Sequence, residues 1–285
     1  MNDDGGDPSV DAWFTKALLG ICFYEHGLDR MVRSGLSVTA YALTPGGAPS
    51  ASALPVRARP NPEGVYVFHR LPALPGGTDP PGGGEMAFEV RDEGGRFLPA
   101  VYVTSDPFGD DDIFLTADAG TASPPGGAEP RFYIFPSPSR LISPRAAAVL
   151  RVQLWDRDAG RPAAWAVVEA SHGGNTWYGL ADHRGSALVA FHYPPVTASL
   201  AGSPPPASMA GLFELTWELE VRVRYLGDLE PLPGFGIPGL GEIAAQPYAS
   251  IVAAKEGVPV DSVACPLVFG RETVLSTEGE SVLWV

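Results

Sequence analysis

The stretch Phe213–Tyr225, FELTWELEVRVRY, decides the fold class. Phe213, Leu215, Trp217, Leu219, Val221, Val223 and Tyr225 are apolar, and Glu214, Thr216, Glu218, Glu220, Arg222 and Arg224 between them are polar. Strict alternation puts the two sets on opposite faces of a β-strand. A helix would scatter the same apolar set around its circumference. At about 3.3 Å per residue the strand reaches roughly 40 Å, long for a globular domain, so it must bend, serve two sheets or reach a partner. Its acidic half and basic half suit an antiparallel neighbour of opposite order.

The rest of the chain agrees with that strand. Glycine contributes 34 and proline 30 of 285 residues, which excludes a helical bundle, since each costs about 1 and 3 kcal/mol inside a helix. No Gly-X-Y period occurs, so collagen is excluded. Hydrophobic residues make up 45% of the chain, enough for a core, so global disorder is excluded too. A net charge of -14 repels phosphate backbones and anionic lipid, so neither nucleic acid nor a membrane surface is an expected partner. The start, MNDDGGDP, is acidic, and the apolar run 17–23 is too short to span a bilayer. The expectation is cytoplasmic synthesis without a signal peptide. Cys22 and Cys265 sit in apolar surroundings and read as buried thiols, with a single bridge between them as the alternative.

Three Pro/Gly/Ser-rich stretches punctuate the sequence: Pro72–Gly84, Ser123–Pro130 and Pro194–Ser208. The middle one, with Pro136–Pro144 after it, marks the domain boundary. A weak internal repeat supports this division. LSVTAY from Leu36, ALPVRAR, VYVFHRLP and AFEVRDEGG run in the same order as LRVQL from Leu150, AWAVVEA, ALVAFHYP and ELTWELEVRVRY. In this alignment His69 and His192 occupy matching places. The expected organisation is an N-terminal segment 1–33, a first β module 34–122, a Pro-rich linker 123–147 and a second β module 148–285. Within 11–33, Trp13, Leu18, Ile21, Tyr24 and Leu28 fall at helical spacing and Asp11 suits a cap, while ALLGICFYEHG reads equally as a buried first strand.

The second half, LRVQLWDRDAGRPAAWAVVEA followed by GLADHRGSALVAFHYP, resembles the carboxypeptidase regulatory-like, or transthyretin-like, β-sandwich. Asp156, Gly160 and Pro162 fit that family's first turn, and Asp182 and Gly185 fit its second. In the first half Gly64 matches but Glu63 stands in the aspartate pattern, and the first turn has no Asp. The resemblance implies an all-β protein of two related Ig/transthyretin-like sandwich modules. A looser similarity links FEVRDEGGRFLP, FPSPSRLISPRAAAVLRVQLWD and FGRETVLSTEG to structural proteins of phage-tail-like contractile injection systems. It implies a component of an assembled particle, at its cap or baseplate.

Chemistry-bearing motifs are sparse. His26, His69, His172, His183 and His192 show no i,i+4 pairing and read as locally hydrogen-bonded residues. Asp106, Asp110 and Asp112 form the best calcium candidate, but the spacing lacks EF-hand order and a solvated loop is the simpler reading. No G-x-S-x-G elbow is present. Trp155, Trp165, Trp177 and Trp217 offer a sugar-stacking platform, weighed against core packing. The segment Pro231–Gly241, PLPGFGIPGLG, is apolar yet full of breakers, so Phe235, Ile237 and Leu240 either tuck under a partner or fold back as a packed loop. The expected function is a non-enzymatic assembly subunit without cofactor or metal. It would form homo- or hetero-oligomers through Phe213, Trp217, Phe235, Ile237 and Leu240. A carbohydrate- or surface-binding module is the alternative.

Overall fold

The computed structural model describes residues 18–72, 85–105, 131–195 and 215–285. The protein is all-β: nineteen strands and one five-residue helix are found among the described residues. The candidate calcium residues Asp106, Asp110 and Asp112, the contact candidate Phe213, and most of the three Pro/Gly-rich stretches lie outside them.

The first sandwich has two sheets. One is built on β1 (Leu19–Glu25), which pairs antiparallel with β2 (Arg30–Met31) and β6 (Tyr66–Phe68), and parallel with β9 (Arg131–Ile134). β5 (Arg59–Pro60) extends it beyond β6. The other runs β4 (Val56–Arg57), β3 (Leu36–Ala42), β7 (Met86–Asp92) and β8 (Ala100–Thr104). Phe23, Phe68, Phe88, Tyr66, Tyr102 and Phe132 interlock edge to face between the sheets. The N-terminal region is therefore a strand where it is described, not a helix. Ile21, Cys22 and Phe23 are buried in succession, so β1 is covered on both faces and lacks the alternation that would have marked it. The module thus reaches beyond 34–122 at both ends, taking in β1 before it and β9 from the expected linker.

The second sandwich repeats the plan. β10 (Ala148–Asp156) pairs antiparallel with β11 (Arg161–Pro162) and β14 (Ser186–Phe191). It pairs parallel with β18 (Glu272–Leu275) and β19 (Leu283–Trp284). The facing sheet holds β13 (Asn175–Leu180), β12 (Val167–His172) and β15 (Thr216–Arg224). β16 (Tyr248–Ala249) and β17 (Val263–Val268) lie along the far side of β15.

The repeat extends to individual hydrogen bonds, one strand earlier than the sequence alignment placed it. β1 corresponds to β10 and β3 to β12. Tyr24 pairs with Met31 as Trp155 pairs with Pro162, and Tyr24 lies beside Tyr133 as Trp155 lies beside Trp284. His26 N–H donates to Ile134 as Arg157 N–H donates to Val285. At the second turn, Asn61 Oδ1 accepts from Val65 N–H at 2.8 Å, and Asp182 Oδ1 accepts from Ser186 N–H at 3.0 Å. Asn61, not Glu63, is thus the counterpart of Asp182, because an Asn side chain closes the same turn. Gly64 and Gly185 complete both turns at φ 90° and 77°, a conformation that favours glycine. Counted from these glycines, His69 corresponds to Ala190. The two extra residues of β14 separate His69 from His192.

The alternating strand β15 is central rather than an edge. β15 pairs with β12 over Glu220–Arg224 and with β17 over Thr216–Val221. Glu169 on β12 is registered opposite Arg222 and ion-pairs with Arg224, but the acidic half of β15 lies against uncharged β17, so no neighbour carries the full opposite charge order. The outer strand β17 places Pro266 opposite Glu218. Phe269 N–H donates to the Leu215 carbonyl, so by alternation Leu267 and Cys265 turn their main chain to β15 and Pro266 faces outward, where it has no N–H and its carbonyl accepts from the Thr273 hydroxyl.

Candidate functional site

The segment after β15 forms a clamp between the modules. Gln246 is buried and holds its two ends: its Oε1 accepts from Leu226 N–H, and its Nε2 donates to the carbonyls of Trp165 and Ile243. Between these ends the chain crosses to the outer face of the first module's β3–β7–β8 sheet. Phe235 is 5% exposed and meets Tyr41 edge to face at 5.2 Å. Phe235 and Ile237 share a cluster with Leu43, Ala87 and Val101. Leu240 and Ile243, on α1 (Leu240–Ala244), join the first module's main core together with Val167, Tyr178 and Leu180 of the second. Of the five contact candidates, Phe235, Ile237 and Leu240 are therefore turned into the chain's own interior. Trp217 is half-buried and packs on Tyr193, with ring centroids 5.4 Å apart. The clamp had one signal in the sequence: Met86-Ala87-Phe88 and Ala100-Val101-Tyr102 are apolar runs without alternation, the mark of strands covered on both faces.

A second joint lies at the β1–β2 turn. Glu25 is buried and its carboxylate receives both terminal nitrogens of Arg140, at 2.6 and 3.2 Å. Arg151 on β10 donates to the carbonyls of Pro138 and Arg140, which fixes the connecting segment to the second module. Gly27 approaches β14 so closely that a Cβ there would stand 2.1 Å from the Ala190 carbonyl oxygen. His192 contacts the Leu28 carbonyl at 3.1 Å through Nε2. His26 is enclosed at this junction, stacked on Phe135 at 4.9 Å and edge-on to Tyr133 and Tyr178 at 5.6 Å each. Neither ring nitrogen has a well-formed hydrogen bond among the described residues. Burial pushes the imidazole down to about 4, partly opposed by the Tyr178 backbone and the Asp29 charge.

The remaining chemical candidates are dispersed. His172 Nδ1 lies 2.8 Å from the Glu218 carbonyl, and His69 and His183 are exposed. Glu218 and Glu220 lie on an exposed face, and Glu220 pairs with Arg222. Cys22 and Cys265 are buried in different modules and form no disulfide. Burial raises the Cys265 thiol to about 11. The tryptophans do not form one platform: Trp177 stacks on Phe191 at 4.1 Å, while Trp165 packs at the clamp. Among the described residues no three His, Cys, Asp or Glu side chains gather where a metal would sit. No helix there is long and apolar enough to cross a membrane.

Two surface features remain. An open groove of about 500 Å³ lies at the tip of the β12–β13 hairpin, with Ser171, Thr176, Glu218, Glu220 and Ser262 in its lining. On the opposite sheet, Val274 is registered beside Arg151, whose guanidinium holds the Arg140 carbonyl. Leu141 follows Arg140 in the chain, and Leu141 and Val274 are 94% and 68% exposed.

No family model, curated protein or solved structure matches this chain.

Proposed function

We propose that this chain is a non-enzymatic structural subunit that joins other subunits of a larger particle. The observation behind this reading is the fusion of its two sandwiches. Side chains from both modules share the first module's core, and the Pro231–Gly241 loop spans from one to the other. A body joined this way transmits position between two ends, which suits a spacer or adaptor. In its specific form the particle is a phage-tail-like contractile injection system, a reading that rests on the sequence resemblance alone.

Phe235 is unsuited as a contact probe, since removing it would damage the interior. Leu141 and Val274 are the suitable probes, because changes at exposed positions leave stability nearly untouched. The double variant Leu141→Asp, Val274→Asp is expected to keep the melting temperature while losing co-purification with particle components or self-association in analytical ultracentrifugation. A wild-type chain that stays monomeric and joins no particle overturns the reading. The polar groove beside Ser171 and Ser262 favours a second reading, a carbohydrate- or surface-binding module. Glycan binding abolished by Thr176→Trp, which would fill the groove, tests it.

A further inference from the structure

The geometry points to an acid-opened joint: protonation of His26 drives the His26–Asp29 turn of the first module away from the second. The ring lies between the modules, with Phe135 and Tyr133 on the first module's side and Tyr178 on the second module's β13. A neutral imidazole tolerates this aromatic enclosure. An imidazolium needs two acceptors or water; the Tyr178 backbone beside the ring offers partial relief, and neither ring nitrogen has a well-formed partner among the described residues. The stacked face of Phe135 attracts a cation but does not replace hydration.

The turn has no slack to hydrate the ring in place. Gly27 already sits against the Ala190 backbone, so water reaches His26 only when the turn lifts. The charged and titratable neighbours set the direction. Asp29 on the same turn favours the proton, and its carboxylate is bonded by the Tyr133 hydroxyl at 3.1 Å. Glu25 on β1 is already committed to Arg140 of the connecting segment. Tyr178 faces the ring from β13, and His192, just past β14, holds the Leu28 carbonyl. His192 keeps a donor in its charged form, so its own protonation does not break that contact.

The sign follows from linkage. The closed form titrates near 4, whereas a hydrated histidine titrates near 6.5. Between those values the opened form binds more protons, so closure is fully favoured above the upper value and weakens as pH falls. Between about pH 7 and about pH 4 the closed-to-open ratio falls by about 100-fold, and it approaches a limit of about 300-fold only well below the lower value.

The test combines a proton NMR titration of the His26 ring with amide exchange, corrected for intrinsic rates, at about pH 7 and about pH 4. Protection of the Asp29 amide is expected to fall by about 100-fold, while amides of β10 and β15 stay protected. His26→Phe and His26→Gln, which cannot titrate, are expected to hold joint protection within about threefold over the same range. Three results would overturn the proposal. One is a His26 titration near 6.5 with the joint unchanged. Another is an equal loss of protection in the variants. The third is loss at β10 and β15 in step with the joint, which is general acid unfolding. If neither variant folds, the wild-type titration and exchange pattern decide alone.

Discussion

The turn from Glu25 to Arg30 and the turn from Asp156 to Arg161 are the same object in two settings. Each has four residues between its strands, a main-chain bond from the residue before the second strand back to the start, and a bond outward to the module's last strand. The first, His-Gly-Leu-Asp, is pressed against the neighbouring module. The second, Arg-Asp-Ala-Gly, is exposed, and Arg157 lies over the Trp284 ring of its own module. The skeleton thus depends on little more than turn geometry and register. The side chains decide whether the turn becomes a joint. Glycine and leucine let Gly27–Leu28 enter a neighbour, while Asp158–Ala159 presents charge and little apolar area.

The contrast should be greatest at the paired positions Gly27 and Asp158. Gly27→Ala places a methyl against the Ala190 carbonyl at φ 78°, and is expected to cost about 4 kcal/mol in chemical denaturation. Asp158→Ala should stay within about 0.5 kcal/mol. Equal effects would break the assignment of one turn as joint and the other as surface. The ion pairs beside the turns come next. Arg140→Met strands the buried Glu25 carboxylate and is expected to cost about 3 kcal/mol. Asp228→Asn removes the exposed partner of Arg161 and should be close to neutral by the same measurement. The smallest effect concerns the left-handed residue that ends each turn. Gly160→Ala, at φ 62°, should cost about 1 kcal/mol. Asp29→Gly, at φ 48°, should change stability by less than about 0.5 kcal/mol, because relieved strain offsets the lost Tyr133 contact. A large loss at Asp29→Gly would show that its carboxylate matters more than its backbone.

The strands legible in the sequence were those with one wet face. β15 alternates over its whole length, and its place in a sheet with one wet face follows from that. β1 did not alternate, since both its faces are covered, and the chance spacing of Leu18, Ile21, Tyr24 and Leu28 imitated a helix. Without alternation in β1, the sequence repeat registers one strand late, so the turn after β3 stands against the turn after β10, whose Asp156 corresponds to Glu25 at the end of β1. Asn61 carries no aspartate signature, yet its side chain closes the same Asx turn as Asp182, and Glu63 next to Gly64 obscures it. The loop carrying Phe235 was correctly read as apolar and irregular. Its destination was hidden because Tyr41, Ala87 and Val101 lie more than a hundred residues away. The His26 enclosure was hidden for the same reason, since Phe135 and Tyr178 meet it only through the fold.

Pro266 bears on how such a protein survives at high local concentration. A bare outer strand invites a neighbouring molecule to zip onto it, and zipped strands template further addition without limit. The ring of Pro266 breaks that template midway along β17, so sheet-to-sheet fibre growth from this margin is arrested after one or two bonds. Copies can crowd together without zipping sheet to sheet along this strand.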